Sequence, residues 1–301
     1  MYDLIIIGAG PAGLSAAIYA SRYKINFIVL SSTLGGYVSE AHLIENWLGE
    51  KSITGKELSK KFVDHVEELD VNFKKSDANK IEKINNGFRV FASDDTIIDT
   101  RSIILATGSE RSKLNVKGEK EFLGKGVSYC ATCDGFFFRK KNVAVIGGGD
   151  AALTAALYLA DLAEKVYLIH RGDSFRANKA WQEKVKKTTN IEVIMNIDIK
   201  EIMGDKIVKK VLLSDKREIA VNGVFIEIGS TPINELIQNI GIETDEKGYI
   251  IVDGTQATNI KNVWAAGDIT TASSKLKQIV TAASEGAVAT YNCYLDLKKN
   301  K

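Results

Sequence analysis

The sequence has little of what marks several common protein classes. It contains three cysteines and two prolines among 301 residues, too few cysteines for a disulfide-rich secreted domain. No apolar run approaches the length of a bilayer span. The first residues, Met1-Tyr2-Asp3, supply no basic region followed by a long apolar segment, so no signal peptide is expected. These absences favour a soluble protein of the reducing cytoplasm.

An excess of charge of either sign is also missing. The chain has 40 basic and 38 acidic residues, for a net charge of +2. This balance gives no reason to expect nucleic acid or an anionic membrane as a partner. Hydrophobic residues make up 45% of the chain, which is enough for a core in each of two domains of ordinary size.

A glycine-rich turn follows the first apolar segment. Leu4-Ile5-Ile6-Ile7 reads as a strand buried on both faces, and Gly8-Ala9-Gly10-Pro11-Ala12-Gly13 leads from it into a helical pattern. In this context GxGxxG is a dinucleotide-binding pattern. Gly8 permits the turn, Gly10 lets the backbone approach a pyrophosphate, and Gly13 lets the helix pack close to the strand.

The same unit occurs a second time. Val143-Ala144-Val145-Ile146 predicts a strand, Gly147-Gly148-Gly149-Asp150-Ala151-Ala152 is a GxGxxA turn, and residues 152–160 predict a helix. Glycines also serve tight turns that bind nothing. Two such units in one chain nevertheless favour two nucleotide sites over two empty turns.

The two units differ where their second strands end. In the second unit His170-Arg171 stands where a site for NAD normally has an acid, and Arg176 follows. Arginine there favours a 2′-phosphate and therefore NADP. The first unit ends its strand with Leu30-Ser31-Ser32, which supplies no acid. Its turn is still compatible with FAD.

A CxxC motif lies between the two glycine turns. Cys130-Ala131-Thr132-Cys133 is followed directly by Asp134. Two thiols at this spacing can form a disulfide that stores two electrons. A zinc site is disfavoured because no further Cys or His pair has suitable spacing, and Cys293 is interpreted as a small buried residue. The position of the motif suggests that electrons pass from one cofactor to another and then to the sulfurs.

The remaining pattern predicts an interrupted first domain. We predict an α/β fold of two Rossmann-like three-layer nucleotide-binding domains, with the second inserted in the first. Residues 1–113 and 242–301 form the first domain and residues 114–241 the second. Polar residues 111–120 and the stretch 229–241 are the predicted crossings. Thr54 and Glu57 predict a capping box for a helix on which His65 packs, and a helix over residues 277–297 closes the chain.

These features resemble the low-molecular-weight thioredoxin reductases over nearly the whole chain. The motifs that carry the resemblance are Gly8-Ala9-Gly10-Pro11-Ala12-Gly13, Gly35-Gly36, Glu45-Asn46-Trp47, Ala106-Thr107-Gly108, Cys130-Ala131-Thr132-Cys133-Asp134-Gly135-Phe136-Phe137, Gly147-Gly148-Gly149, Ile169-His170-Arg171, Phe175-Arg176-Ala177 and Ala266-Gly267-Asp268. The run around the two cysteines is the most specific of them.

The resemblance implies a homodimeric flavoenzyme with FAD on the first domain and NADPH on the second. The residues it implies for FAD are Gly8, Gly10, Pro11, Ala12, Gly13, Gly35, Gly36, Asn46, Ala106, Thr107, Gly108, Gly267, Asp268, Lys277 and Gln278. Those for NADPH are Gly147, Gly149, Asp150, Ala151, Ala152, His170, Arg171 and Arg176. No metal is implied.

The resemblance also implies the roles of the catalytic residues. Cys133 faces the flavin, Cys130 attacks the disulfide of thioredoxin or a thioredoxin-like protein, and Asp134 manages the thiol protons. The two domains rotate between the half-reactions, so the hinge is expected at the two crossings. The implied activity is that of an NADPH-dependent thioredoxin-disulfide reductase.

The clearest departure from the family pattern lies in the phosphate-reading run. The phosphate-reading run is usually His-Arg-Arg-x-x-x-Arg, and Gly172 replaces its second arginine. Losing one charge-assisted contact costs about 1–3 kcal/mol of binding to the 2′-phosphate. NADH, ferredoxin or a deazaflavin therefore stay open as donors. A flavin-binding redox sensor that signals without turnover is the alternative from another class.

Overall fold

The computed structural model describes residues 1–41, 44–232, 236–237, 239–273 and 276–299. The chain forms two compact units. The first comprises Met1–Ser39, Thr54–Glu110 and Thr231–Lys301, and the second comprises Glu40–Ile53 and Arg111–Ser230. The domain limits that the sequence suggests, at 113/114 and 241/242, remain predictions.

The first unit contains strands β1 (Tyr2–Ile7), β2 (Phe27–Leu30), β3 (Phe73–Lys74), β4 (Ala78–Ile84), β5 (Gly87–Ala92), β6 (Ile97–Leu105) and β17 (Val263–Ala265), and helices α1 (Pro11–Arg22), α2 (Gly55–Glu67) and α6 (Ile279–Lys299). The order of its sheet is β3-β2-β1-β6-β5-β4, with β17 also paired to β6. β4 and β5 are antiparallel additions to a parallel sheet. This arrangement puts the end of β1 beside the ends of β2 and β6.

The second unit contains strands β8 (Val127–Ser128), β9 (Asn142–Ile146), β10 (Lys165–His170), β11 (Ile191–Met195), β12 (Ile199–Gly204), β13 (Val208–Leu213), β14 (Glu218–Ala220) and β15 (Gly223–Ile226), and helices α3 (Ala131–Asp134), α4 (Asp150–Ala160) and α5 (Lys179–Lys187). Five strands form a parallel sheet in the order β11-β10-β9-β15-β8, and β12, β13 and β14 form an antiparallel sheet. The structure confirms the predicted α/β fold with two Rossmann-like units.

The predicted burial of β1 on both faces is confirmed. Leu4 and Ile6 pack into a cluster with α1 and α6, whereas Ile5 and Ile7 pack into a cluster on the opposite face. All four side chains are buried. Alternate side chains of a strand point to opposite faces, so a wholly apolar strand suits a sheet that is covered on both sides.

The segments that connect the two units pair with each other. β7 (Ser109–Arg111) and β16 (Ser230–Pro232) form a two-stranded sheet. Residues 233–235 and 238 of the predicted second crossing lie outside the described residues. Residues 111–120, the first predicted crossing, group with the second unit. Glu119 is 5% exposed and accepts hydrogen bonds from the N–H groups of Leu114 and Asn115 and from the hydroxyl of Tyr129, which joins this stretch to the rest of that unit.

Four predictions about helices have mixed outcomes. The capping box is confirmed, because the side chains of Thr54 and Glu57 bond reciprocally at the start of α2. The packing role of His65 is wrong, because that residue is exposed. The final helix, α6, begins and ends two residues later than predicted. The helix of the second glycine turn begins at Asp150 instead of Ala152.

Candidate functional site

The first glycine turn joins the end of β1 to α1. Gly8 has φ +105°, and a Cβ there would overlap the carbonyl oxygen of Ala106, the residue that follows β6. A Cβ at Gly13 would overlap the carbonyl of Gly8. The backbone of the turn therefore packs directly on its neighbours, which only glycine permits at these positions.

The glycine pair predicted for FAD lies against the first turn. The N–H of Gly35 donates to the carbonyl of Ala9 over 2.8 Å. Gly36 has φ +61°, and a Cβ there would lie 2.9 Å from the Cα of Gly10. The segment presents backbone without side chains to the turn, a surface that a ligand can approach closely.

Hydrogen-bonding groups converge beside this turn. Gly10 is the N-cap of α1 and provides no side-chain cap for the first N–H groups of the helix. Among the described residues, the buried hydroxyl of Thr107 is one of the few side-chain groups without a hydrogen-bond partner. A Cβ at Gly108 would meet no heavy atom within 4 Å. These features fit a ligand with phosphates and hydroxyls, such as FAD.

The loop after β17 reaches the same turn. A Cβ at Gly267 would lie 3.0 Å from the Cβ of Ala12 on α1, so the Gly267-Asp268 pair lies beside the turn, as the sequence predicted for a FAD contact. The ammonium of Lys277 donates to the carbonyl of Asp268 over 3.1 Å and lies 3.5 Å from the ring centroid of Tyr249.

A buried carboxylate holds this loop, and the sequence reasoning missed it. Glu285 on α6 is 6% exposed and accepts from the N–H of Gly267 over 2.7 Å. It also accepts from the hydroxyls of Thr270 and Ser273. The available signal was one acid in the small and apolar first half of α6. That signal does not identify its partners, because they precede α6 in the sequence and meet it only in the fold.

Asn46 belongs to a different unit from the other residues predicted for FAD. It is exposed and lies in Glu40–Ile53, which groups with the second unit. Its predicted contact with FAD stays a prediction. The predicted residues Pro11 and Ala12 form the first turn of α1. Ala106 directly follows β6, and Gln278 directly precedes α6.

The second glycine turn repeats the geometry of the first. Gly147 has φ +149°, and a Cβ there would overlap the carbonyl oxygen of Glu227. Gly149 is the N-cap of α4 without a side-chain cap, and a Cβ on it would meet no heavy atom within 4 Å. Ala152 is fully buried behind the turn. The turn therefore leaves helix N–H groups and open space for phosphates.

A loop after β10 crosses the second turn. The N–H groups of Arg176 and Ala177 donate to the carbonyl of Gly148 over 2.8 and 3.2 Å. The N–H of Asn178 donates to a carboxylate oxygen of Asp150 over 2.8 Å. Arg171 is exposed, as is Arg176. The predicted nucleotide residues of the second unit are thus brought to one edge of its sheet.

His170 packs against the glycines of this edge. A Cβ at Gly148 would overlap the imidazole ring, and a Cβ at Gly172 would lie 2.8 Å from its Nε2. Nε2 lies 3.2 Å from the carbonyl oxygen of Ser174, and the ring stacks on Phe175 at 5.7 Å. The ring thus fills the space beside Gly172, so any larger residue there would have to displace it.

Cys130 and Cys133 form a disulfide across the single turn of α3, with their Cα atoms 5.3 Å apart. Both cysteines are half-buried, whereas Ala131 between them is buried. The N–H of Cys130 donates to the hydroxyl of Ser128 over 3.0 Å. The N–H of Asp134 donates to the carbonyl of Cys130 over 3.1 Å, which keeps this carboxyl residue in the same turn as both sulfurs.

The CxxC turn and the second glycine turn share one neighbour. The carboxylate of Glu227 accepts from the N–H of Ala131 over 3.4 Å. The backbone N–H of Glu227 donates to the carbonyl of Ile146 over 2.8 Å. Ile146 ends the strand that leads to Gly147. The sequence reasoning missed Glu227 because nearly a hundred residues separate it from the cysteines.

The comparisons with known proteins agree with this geometry. The pattern of the pyridine nucleotide-disulphide oxidoreductases matches residues 2–286. The chain belongs to this family. A thioredoxin reductase of Listeria innocua is 39% identical, over 97% of this chain and 92% of the relative. Family membership implies flavin and pyridine-nucleotide chemistry coupled to a disulfide, and the predicted family resemblance is confirmed.

Solved structures of the family resemble the chain throughout. A thioredoxin reductase from Streptococcus pyogenes has a TM-score of 0.93 and 36% identity, with 99% of each chain covered. A ferredoxin-flavin thioredoxin reductase from Clostridium acetobutylicum has a TM-score of 0.55 and 35% identity, with 99% of this chain and 98% of that chain covered.

Within the described part of the chain, no cluster of three His, Cys, Asp or Glu side chains is arranged to hold a metal ion. No described helix combines the length and the apolar character needed to cross a membrane.

Proposed function

We propose that the chain is a thioredoxin-disulfide reductase that takes electrons from NADPH, holds FAD and reduces thioredoxin or a thioredoxin-like protein. The observation that carries the proposal is the Cys130–Cys133 disulfide, which lies in the same unit as the glycine turn that is open at Gly149. Both cysteines are half-buried and not fully buried, which is compatible with disulfide exchange with another protein.

The first turn supports FAD as the flavin. Gly10 and Gly36 offer bare backbone to the pyrophosphate, and the hydroxyl of Thr107 offers a hydrogen bond. Asp268, whose loop Glu285 and Lys277 hold, is proposed to accept from a ribityl hydroxyl. When bound, FAD supplies a two-electron carrier between a nicotinamide and the disulfide.

The two cysteines carry out the disulfide exchange. Two electrons and two protons convert their S–S bond into two thiols. The thiolate of Cys130 then attacks the disulfide of the acceptor protein, so that one S–S bond breaks and a mixed disulfide forms. Cys133 attacks the mixed disulfide, which restores the Cys130–Cys133 bond and releases the acceptor as a dithiol. Asp134, one turn from Cys130, is proposed to hold and return the protons.

The second turn supports NADPH as the donor. Phosphates bind well at a helix N-terminus that follows bare glycines, as at Gly149 and α4. Arg171 and Arg176 bring two exposed cations to the same edge of the sheet. These charges favour a 2′-phosphate.

We also propose a homodimer in the cytoplasm, and sedimentation velocity tests the dimer.

Ferredoxin is a second candidate donor. Gly172 removes one arginine of the usual phosphate-reading run. A structure that resembles this chain is a ferredoxin-flavin thioredoxin reductase. NADH and a deazaflavin would also become candidate donors if the site selected only weakly for a 2′-phosphate. The two exposed arginines keep NADPH ahead of these donors.

Stopped-flow mixing under anaerobic conditions tests the donor. NADPH is expected to bleach the flavin absorbance faster than NADH, reduced ferredoxin or a reduced deazaflavin. Failure of NADPH to bleach the flavin would show that the donor assignment is wrong. Turnover coupled to thioredoxin separates an enzyme from a redox sensor, because a sensor does not cycle.

A further inference from the structure

Asp150 places a negative charge where the second turn is expected to receive phosphates. It is the first residue of α4 and directly follows Gly149. An acid at a helix N-terminus stabilises the helix. The same carboxylate repels a pyrophosphate that binds to that N-terminus. Asp150 therefore weakens the expected binding of a pyrophosphate, and we asked what else its carboxylate contacts.

The carboxylate of Asp150 is used to hold the loop that carries Arg176. It accepts from the N–H of Asn178 over 2.8 Å. Asn178 is the N-cap of α5, and its side chain accepts from the N–H of Ala180 over 2.9 Å. Asp150 therefore ties the start of α4 to the start of α5, with Arg176 two residues before the tie.

Other bonds hold the same loop to the turn and to α5. The N–H groups of Arg176 and Ala177 both donate to the carbonyl of Gly148. The side chain of Gln182 donates to the carbonyl of Ala177 over 2.7 Å and to that of Phe175 over 3.3 Å. Asp150 and Gln182 thus provide side-chain contacts that substitution can remove one at a time.

We infer that Asp150 is a positioning residue: it fixes Arg176 for contact with a 2′-phosphate and lowers the affinity for every dinucleotide in exchange. The inference rests on the proposed NADPH site and deepens it. Selectivity between NADPH and NADH would then come from the tie between α4 and α5, as well as from the arginines. The tie needs a hydrogen-bond acceptor at position 150, whereas the repulsion needs its charge.

Two substitutions separate these effects. Asp150→Asn keeps an acceptor for the N–H of Asn178 and removes the charge, whereas Asp150→Ala removes both. The probes are adenosine 2′,5′-bisphosphate and AMP, which differ by the 2′-phosphate. Their dissociation constants are measured by calorimetry on the FAD-loaded enzyme, which gives a result independent of turnover.

The two variants have different expected results. Asp150→Asn should bind both probes about threefold to tenfold more tightly and keep the wild-type ratio between them. Asp150→Ala should reduce that ratio about threefold to tenfold, since Arg176 loses a fixed position. Gln182→Ala should also reduce the ratio, by about threefold, without changing a charge. Asp161→Asn, at the other end of α4, is the matched charge control and should change neither constant.

The inference is overturned if Asp150→Ala keeps the wild-type ratio, or if Asp150→Asn loses as much of the ratio as Asp150→Ala. If Asp150→Ala does not fold, Gln182→Ala and Asp150→Asn carry the test. A wild-type enzyme that binds neither probe overturns both this inference and the NADPH site. Flavin reduction by NADPH together with an unchanged ratio overturns the inference alone.

Discussion

The two glycine turns have the same backbone geometry and differ in the segments that surround them. In each, the first glycine has positive φ, and a Cβ on it would overlap a main-chain carbonyl of the neighbouring strand end, at Ala106 or at Glu227. Each then begins a helix without a side-chain cap. We therefore propose that each turn is a general phosphate site that does not choose the nucleotide.

In this proposal, the segments around the turns choose the nucleotide. The first turn is flanked by Gly36 and Gly267, which add backbone but no charge. The second is crossed by a loop with the exposed cations Arg171 and Arg176. Bare backbone suits a cofactor held along its length, and cations suit a nucleotide marked by a 2′-phosphate. We therefore propose that the flanking segments, and not the glycine motifs, determine which nucleotide binds.

The largest expected effect is that of Cys133→Ser, which distinguishes the role of the disulfide from the role of the two turns. Cys133→Ser should abolish thioredoxin reduction, because no internal disulfide can form. It should leave flavin reduction by NADPH intact, since both turns are unchanged. Stopped-flow absorbance and coupled turnover measure the two activities. Cys293→Ser serves as the control and should keep both, because that residue is buried in the core of the first unit. Normal turnover by Cys133→Ser would disprove the electron path.

The next largest effect separates the two turns from each other. Gly8→Ala and Gly147→Ala each force a Cβ onto a carbonyl at positive φ, at a cost of about 2–4 kcal/mol. Gly8→Ala should lose FAD. Gly147→Ala should retain FAD and lose reduction by NADPH. Flavin content and bleaching rate measure these outcomes. Gly254→Ala, where a Cβ meets nothing within 4 Å, is the matched control. Equal loss of FAD in both variants would contradict the division of roles.

A smaller effect tests the support behind the first turn. Glu285→Ala leaves the N–H of Gly267 and the hydroxyl of Ser273 without their acceptor, at a cost of about 1–3 kcal/mol. The free energy of unfolding should fall by that amount, and FAD should dissociate more readily. Glu285→Gln keeps an acceptor and should lose less. Urea unfolding and flavin fluorescence measure both. If Ala and Gln have equal effects, Glu285 does not act through these hydrogen bonds.

The smallest expected effect is a difference in alkylation between the thiol of the first unit, Cys293, and the thiols of the second, Cys130 and Cys133. Burial raises the pKa of the Cys293 thiol to about 12, so it stays protonated and unreactive at neutral pH. Alkylation of the reduced native protein by iodoacetamide should therefore label Cys130 and Cys133 and leave Cys293 unlabelled. Peptide mass spectrometry counts the labels. Labelling of Cys293 at a rate similar to that of Cys130 would show that the core around it opens.

The sequence predicts the local features of both units well. Apolar strands, glycine turns and helix starts depend on residues that are near in the chain, so Gly8, Gly147 and the capping box at Thr54 are readable. The features it misses depend on distant residues. Glu285 on α6 accepts from Gly267 in the loop after β17, and Asp150 at the start of α4 accepts from Asn178 at the start of α5. Polar residues 111–120 predict a crossing between domains, whereas the hydrogen bonds that Glu119 accepts are visible only in the fold.

The central claim is that electrons from a nucleotide on the second turn reach Cys130 and Cys133. Its most direct test is to add one equivalent of NADPH to the oxidised holoenzyme without oxygen, quench with acid, alkylate, and count labels on each cysteine. The Cys130–Cys133 disulfide should be lost in proportion to the NADPH consumed. Oxidation of NADPH with the disulfide left intact would contradict it.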